Sequence, residues 1–563
     1  MKRIILILFI SLQLFGQSDN QSQSIELPDF VITGKQRIDL PVMKKSKAEP
    51  ISLLSNEFFF PTFTPEQFSL ATVAKPEQLL PVILPQQKNY NGQLILGAGQ
   101  YTLPAGEFYF TQKFSSGKFY SALAGINRRD YVDYADFNKS SINLGSEFYV
   151  NRESPFLPGA IINVDGKFVR KEYNFYGIYR ASNLTPTQRE TQNIIGTISL
   201  ENYLSDVVKY RMSLGTDYID IKDASATELN YYFDANIKVN FGDFGFLLNG
   251  KYQRQNVSKI GADDNYNFYK VIGGVEYKPS RNMIFRAGAS YYFTNLKEWR
   301  DQWNPRFYTS ENLIAPWGEF EFAFNNALTF TASYKPEIEF STYSDFLRLN
   351  PYIIVTQPND WKSVYDNGTA IHNHKINVAL NYGYKKYYEL TIGAEYFQAD
   401  MYPYFDSNFS FDWPQHISQF SINRLNNVTS FSIYGNALYH LGPFGWFYGD
   451  AKYQIFNVDY MYRSAKSIPY KPAFSVSALY GYKFNFGISA EIKIQYHKET
   501  YADVEETILL DDYINLSAKL RYSLTQDFDF TLHLNNLLNR DNYLWLGFVE
   551  SPFDITAGID FRF

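Results

Sequence analysis

The amino-acid sequence predicts an all-β protein, a transmembrane antiparallel β-barrel of about 22 strands with an extended N-terminal arm. Three observations predict this fold. From residue 91 onward, apolar and polar residues alternate in segments of about ten to fourteen residues; the connections alternate between short and long; and aromatic residues make up 18% of the 563-residue chain. Alternation with a period of two is typical of strands that face lipid on one side and water on the other.

The first element is a signal peptide over residues 1–16. Lys2 and Arg3 supply a positive start, residues 4–10 are apolar, and Gly16 offers a small residue at the cleavage site. The apolar block is too short for a spanning helix, which needs about 20 residues. The sequence therefore predicts export of the mature chain.

Composition excludes several classes of protein. The chain has no cysteine, which excludes disulfide scaffolds, thiol enzymes and a lipid anchor on a mature N-terminal cysteine. Its net charge is -6 and it has no concentrated basic tract, so a nucleic-acid partner is not expected. The barrel itself is therefore expected to hold the protein in the lipid of a Gram-negative-type outer membrane.

Residues 17–90 form the second element, an extended periplasmic or lumenal arm. This stretch holds eight prolines and a single glycine, Gly34, and shows little sustained periodicity.

The third element is the barrel, over residues 91–563. Short connections are expected near residues 115–117, 204–206, 241–243, 279–282, 325–327, 442–443, 485–487 and 525–527. Long ones are expected at residues 171–192, 295–311, 341–368 and 399–426, the last with room for a further hairpin. Short turns on one side and long loops on the other describe a bacterial outer-membrane barrel.

A string of soluble β-sandwiches or a propeller would also show many alternating strands. Two features favour the membrane barrel: apolar faces end in Tyr or Phe, as interface girdles require, and polar faces carry charges in mid-strand. Such charges would face a water-filled lumen and could set ion or solute preference, although a solvated channel wall explains them equally well. The candidate lumen charges are Lys209, Arg211, Glu491, Lys493, Lys519 and Arg521.

The C-terminal strand carries the sharpest motif. Apolar residues occupy every second position up to a final phenylalanine, at Ile555, Ala557, Ile559, Phe561 and Phe563. This pattern resembles the terminal recognition signal of outer-membrane proteins. The resemblance implies the barrel-assembly machinery as a partner.

Two further motifs suggest a family. The stretch from Leu534 to Tyr543, Leu-Asn-Asn-Leu-Leu-Asn-Arg-Asp-Asn-Tyr, resembles the penultimate-strand signature of TonB-dependent receptors. Residues 27–34 are similar to the Ton box of that family, with the candidate partner-binding residues Asp29, Phe30, Val31, Ile32, Thr33 and Gly34. The resemblance implies uptake of a small solute and a TonB-type periplasmic partner, which an extended segment binds as an added strand. The alternative for residues 27–34 is a β-prone stretch in a flexible arm.

The sequence departs from this family in one respect. About 56 residues without glycine separate Gly34 from the first strand, too few for the folded plug domain that these receptors carry. A barrel of this size normally needs its lumen filled. We expect residues 35–90 to act as a minimal stopper in the lumen or its periplasmic mouth, or to dock on a separate partner.

Enzymatic motifs are weak. His372 and His374 would share a strand face and could ligate a metal, but no acidic or cysteine companion stands at a diagnostic spacing. No nucleotide loop, nucleophile elbow or calcium loop is present in the sequence. We expect no catalytic, metal or cofactor site.

The sequence thus predicts passage or receptor-mediated uptake of a solute across the outer membrane. Candidate outer contacts are the loop aromatics Trp299, Trp303, Phe307 and Tyr308. A structural or assembly component of an outer-membrane complex and an outer-membrane hydrolase are the alternatives. The pattern does not identify the substrate, because sugars, siderophores, peptides and cobalamin all cross through barrels of this kind.

Overall fold

The computed structural model describes residues 90–154, 157–177, 186–202, 205, 207–259, 262–298, 307–355, 368–384, 388–407, 419–440, 444–460 and 463–563. The signal peptide, the arm up to residue 89, its Ton-box-like segment 27–34 and the expected stopper lie outside these residues. So do Trp299 and Trp303.

The first half of the chain forms twelve strands that each span the barrel wall. They are β1 Gly92–Gly99, β2 Thr102–Phe114, β3 Gly117–Arg128, β4 Phe137–Tyr149, β5 Ile161–Asn174, β6 Gln188–Asn202, β7 Val208–Ile221, β8 Ala226–Phe241, β9 Phe244–Lys259, β10 Ala262–Ser280, β11 Met283–Glu298 and β12 Phe307–Ala323.

The second half mixes wall strands with shorter elements in the connections. In order these are β13 Leu328–Tyr334, β14 Glu337–Phe340, the helix α1 Tyr343–Leu349, β15 Thr369–Tyr384, β16 Tyr388–Asp400, β17 Tyr402–Ser407, β18 Phe420–Leu425, β19 Val428–His440, β20 Trp446–Tyr460, β21 Arg463–Ala465, β22 Phe474–Lys483, β23 Ile488–Lys498, β24 Thr500–Tyr501, β25 Leu509–Leu510, β26 Tyr513–Ser523, β27 Phe528–Asn535, β28 Tyr543–Trp545, β29 Phe548–Val549 and β30 Asp554–Arg562.

Each wall strand pairs antiparallel with its neighbours along the chain, and β1 pairs with β30 to close the ring. With β13 and β14 counted as one broken strand, the ring has 22 strands, which confirms the predicted architecture. Closure leaves no sheet edge, as a wall in lipid requires. Both ends of the barrel domain, Tyr90 and Phe563, lie at the end with the short connections, which we name the short-turn end; the opposite end is the long-loop end.

The two faces of the wall differ as the alternation predicts. Along β30, Ile555 and Phe561 are exposed on the outer face, whereas Asp554 and Asp560 are buried on the inner face. Outer aromatic rings also pack against one another near the short turns: Phe244 stacks on Tyr277 with ring centroids 4.8 Å apart. An apolar exterior bounded by aromatic rings suits the acyl chains and the interface of a bilayer.

The last three strands of the ring, β26, β27 and β30, are joined by charges as well as by backbone pairing. The inner face carries Arg521, Asp529, Asp560 and Arg562, which we name the closure cluster, and Arg521 lies 3.7 Å from Asp529 and 3.6 Å from Asp560. Arg562 pairs with both aspartates, whose side chains are almost fully buried. Nearby, Tyr90 donates to the Asp527 carboxylate at 2.6 Å. The closure cluster therefore ties β30 to the two strands before it, and the Tyr90 contact ties the start of the barrel domain to the turn before β27.

The wall is broken at one strand. β13 pairs with both β12 and β15, but β14 pairs with β15 alone, because Lys335 and Pro336 interrupt the strand and proline has no N–H to donate. Beyond the break the chain packs against the inner face of the wall. Phe340 stacks on Phe268 of β10 with centroids 5.6 Å apart, and buried Ile338 packs with Phe268 and Tyr292. We name residues 337–355 the inner segment.

The connections follow the predicted alternation only in part, because those between β1 and β2, β7 and β8, and β9 and β10 are short although they lie at the long-loop end. Within residues 399–426, where the sequence left room for a further hairpin, β17 pairs with β18. The long connections are shorter than expected; for example, β5 runs to Asn174 and β6 begins at Gln188. The reason is that the strands stay paired beyond the length that is needed to cross a bilayer. In the part of the chain that the structure describes, no helix has the length and apolarity to cross a membrane.

Candidate functional site

The inner segment is docked on the wall by buried polar contacts. The helix α1 begins with a capping box between Thr342 and Asp345. Its first N–H, at Tyr343, donates to the carboxylate of Glu228 at 2.7 Å, and Gln255 donates to the same carboxylate at 3.1 Å. Glu228 is 0% exposed. A carboxylate at a helix N-terminus is favourable, because the N–H groups there have no partner in the helix.

A second anchor lies on β6. Arg189 donates from Nη1 to the carbonyl oxygen of Ile353 at 2.6 Å, and it pairs with Asp223 through Nε and Nη2 at 3.1 and 3.0 Å. Its guanidinium also lies 4.5 Å from the centroid of the Phe175 ring. At the other end of α1, Arg348 donates to Asp217 at 3.2 Å. The inner segment is therefore held by β6, β7 and β8, far around the ring from its own strand.

Aromatic rings from several long loops and from the inner segment itself meet in one cluster. We name this cluster the roof; its rings are Phe175, Tyr176, Tyr352, Phe420, Trp545 and Phe548. Phe548 stacks on Tyr352 with centroids 3.7 Å apart and meets Tyr176 edge-on at 5.1 Å. Phe420 lies 5.3 Å from Trp545. Each such pair adds about 0.5–1.5 kcal/mol beyond the burial of its area.

The roof bridges the mouth of the barrel. Phe175 and Tyr176 follow the fifth strand of the ring, whereas Phe420 lies between the fifteenth and sixteenth, ten places away in a ring of 22. Loops from nearly opposite sides of the wall are therefore joined through Phe548, whose ring contacts both Tyr176 and Phe420. Backbone pairing strengthens the bridge, because Ile354 of the inner segment donates to Phe420 at 2.8 Å and Phe420 donates to Tyr352 at 3.1 Å.

The polar groups beside the roof are hydrogen-bonded or are kept neutral by burial. The phenols of Tyr131 and Tyr176 both donate to the carbonyl oxygen of Val549 at 2.9 Å. Burial raises the pKa of Tyr176 and of Tyr352, so both stay neutral. Burial also raises the pKa of the neighbouring Glu550 carboxyl, and the charge of Arg128 only partly offsets this.

Residues of the Leu534–Tyr543 motif hold the hairpin that carries two roof rings. Asn536, at the end of β27, donates to the carbonyl oxygens of Arg540 at 2.8 Å and Ser551 at 3.0 Å. Asn542 donates to the Ile514 carbonyl at 2.9 Å and accepts from the Ile514 N–H at 3.0 Å. Both asparagines are buried. The motif thus fixes the connection from which β28 and β29 extend.

A cavity of about 660 Å³ lies on the inner wall between β7 and β15. We name it the lumen cavity. Its charged lining residues are Lys209, Arg211, Lys238, Lys270, Arg286, Lys335, Lys375, Glu276, Glu319 and Glu337. Two of the predicted lumen charges, Lys209 and Arg211, belong to it.

The other four predicted lumen charges lie on inward-facing positions of the opposite part of the ring. Glu491 and Lys519 are cross-strand neighbours on β23 and β26, and Lys493 faces Ser517. Arg521 belongs to the closure cluster. The lumen charges predicted from the sequence therefore fall into two separate groups, because β7 and β26 lie far apart in the ring.

The paired histidines do not share a face, so that expectation is wrong. A bulge at Asn373 shifts the register between His372 and His374, which turns the two side chains to opposite sides of the wall. His372 is buried with its Nε2 3.4 Å from a Glu339 carboxylate oxygen, whereas His374 is exposed and lies 3.0 Å from the Tyr334 hydroxyl. Among the residues described here, no group of three potential metal ligands occurs.

The C-terminal residues occupy the positions that the motif requires. Ile555, Phe561 and Phe563 are exposed on the outer face next to β1. The terminal backbone is paired as well, because Phe563 accepts from Asn91 and Gly92 at 2.8 Å. Phe307 and Tyr308 lie at the start of β12 at the long-loop end.

No protein-family model and no curated protein matches the sequence. Solved structures do match the fold. The ferric-catecholate import receptor Fiu from E. coli K12 has a TM-score of 0.62 at 11% identity over 84% of this chain and 82% of that one. The FrpB iron transporter from Neisseria meningitidis has a TM-score of 0.63 at 10% identity over 85% and 82%. The copper transporter OprC has a TM-score of 0.62 at 11% identity over 85% and 82%.

These neighbours are TonB-dependent outer-membrane receptors. The chain therefore has the barrel fold of this receptor class, which confirms the resemblance seen in the sequence.

Proposed function

We propose that this protein is a receptor-type transporter that carries a small solute across the outer membrane. One observation carries the proposal: a closed 22-strand wall with an apolar exterior surrounds a polar, charged lumen whose long-loop mouth is bridged by the roof. Long loops face the outside of the cell in barrels of this kind and short turns face the periplasm. The neighbours of the same fold are receptors and transporters of iron and copper, which supports transport over an enzymatic role.

The route of the solute follows from this geometry. A solute arriving at the long-loop end meets the roof and the inner segment, which pack into one cluster, and the lumen cavity lies nearer the short turns. Roof and inner segment must therefore move to let it pass. Loops that close over a site are well suited to such gating, because their contacts can open without unfolding the wall.

We further propose that the arm supplies the periplasmic control. Residues 27–34 would add as a strand to a TonB-type protein, and residues 35–90 would act as the stopper. A pull-down with a TonB C-terminal domain tests the first part. We expect capture of the full chain and loss of capture for a variant lacking residues 27–34, and equal capture of both would contradict it.

Conductance in planar bilayers tests passage itself. We compare the full chain with a variant lacking residues 35–88 and with a variant that also carries Phe548→Ala in the roof. The proposal expects current to rise from the first protein to the last, since an obstacle is removed at each step. A barrel that folds in all three forms and passes no current in any of them would refute passage through this lumen.

A further inference from the structure

We propose that the lumen cavity is a binding site for a small solute with two or more negative charges, either phosphates or carboxylates. This inference rests on the proposed transport function and names the class of its substrate. The whole chain carries a net charge of -6. The net charge of the cavity lining has the opposite sign. The lining contains seven Lys and Arg residues and three glutamates, which is a formal surplus of four positive charges.

The three glutamates are already neutralised by the wall. Glu276 accepts from Lys238 at 2.7 Å and from Arg286 at 2.8 Å, and Lys278 lies 3.1 Å away. Its side chain is 1% exposed. A carboxylate that is buried among three cations has no capacity left to attract another cation.

Each of the other two glutamates also lies close to two cations. Glu319 pairs with Arg286 at 2.9 Å and also with Lys335. Glu337 accepts from Lys375 at 2.7 Å, and Lys270 lies 4.0 Å from its other oxygen.

The cations remain available to the lumen. The side chain of Lys335 is 49% exposed and that of Arg211 is 58% exposed, and the only described partner of Arg211 is Glu201 at 3.8 Å. Lys209 has no ion pair with a described carboxylate. The surface that a solute meets therefore carries a net positive charge: Glu276 is buried, and Glu319 and Glu337 are each paired with two cations.

The surplus is not shared by the part of the ring that carries the closure cluster. Across the ring, the closure cluster balances two arginines with two aspartates. Glu491 likewise faces Lys519 directly. A concave wall with one sign of charge concentrates solutes of the opposite sign, and several cations can grip one polyanion at once.

Equilibrium dialysis of the purified full chain tests the site. The probes are inorganic pyrophosphate and citrate as anions, sucrose as a neutral solute and spermidine as a cation. We expect both anions to bind, with affinity falling as salt is raised because the charges are screened. Binding of one anion alone would assign the site to phosphates or to carboxylates.

The variant Lys209→Gln/Arg211→Gln should weaken anion binding by roughly fivefold for each lost cation. The matched control is Lys493→Gln, an inward-facing lysine on β23 that lies outside the cavity lining, and it should leave binding unchanged. Equal binding of spermidine and citrate, or equal effects of the two variants, would overturn the proposal. If anions fail to bind while the bilayer assay still shows passage, the anion site is refuted and the transport function stands.

Discussion

The roof offers the sharpest quantitative prediction, through the single change Phe548→Ala. The Phe548 ring is 2% exposed and lies between Tyr352 at 3.7 Å and Tyr176 at 5.1 Å. Truncation of a buried phenylalanine to alanine costs about 3–5 kcal/mol, since it removes apolar area and leaves a cavity. The wall does not depend on this ring, so the loss falls on closure of the roof.

A cost of that size raises the open population of the roof between about a hundredfold and several thousandfold, because each 1.4 kcal/mol is a factor of about ten. Amide hydrogen exchange measures it directly. The reporters are the amides of Ile354 and Phe420, which join the inner segment to the loop that carries Phe420, beside the Phe548 ring. Their protection should fall by at least about a hundredfold.

The control for this experiment is Phe444→Ala. Phe444 lies at the short-turn end with its ring largely in solvent, so the reporter amides should keep their protection. Loss of protection below about tenfold in the Phe548 variant would refute the cross-mouth bridge. So would an equal loss in both variants, provided that both barrels are folded.

Three further predictions concern the wall, the closure cluster and pH. Gly288→Ala should strongly reduce refolding yield because a Cβ there overlaps the Gly273 carbonyl oxygen, whereas Gly250→Ala, with open space, should refold normally. Arg562→Ala should lower the unfolding temperature in detergent, since it leaves two buried carboxylates without one of their cations at a cost of about 3–5 kcal/mol; unchanged melting would contradict a stabilising role of the closure cluster. Burial raises the pKa of the Glu550 carboxyl in the closed roof above its value in the unfolded chain. The neutral carboxyl therefore favours the closed roof at a pH below the unfolded pKa, and this contribution is lost as the pH rises through the folded pKa. Roof protection, corrected for intrinsic exchange, should therefore increase on acidification, and Glu550→Gln should remove this response.

The sequence predicted the barrel well because its signals are local. Period-two alternation needs only neighbouring residues to be compared, and it placed Ile555 and Phe561 on the outer face. Connection lengths are local too, and they led to the count of 22 strands. The bulge at Asn373 is the local feature that the alternation rule missed, since one extra residue turns the following side chains to the other face.

The candidate site was only half predictable. The alternation of inward and outward positions identified Lys209 and Arg211 as lumen charges. The same rule selects every inward-facing charge, so it does not show which of them lie together in one cavity. Arg286 and Lys238 were missed as members of one cluster, because both reach Glu276 across neighbouring strands. Their common carboxylate becomes visible only when the register of β8, β10 and β11 is known.

The sequence by itself therefore determined the class of fold, the two faces of the wall and the ends at which short and long connections lie. Tertiary structure alone decided that the chain breaks at Pro336, that the inner segment docks on distant strands, and that the roof spans the mouth. Tyr176 and Val549 are hydrogen-bonded although 373 residues separate them. Contacts of this kind depend on closure of the ring, which brings opposite loops together, and no periodicity along the chain encodes which loops will meet.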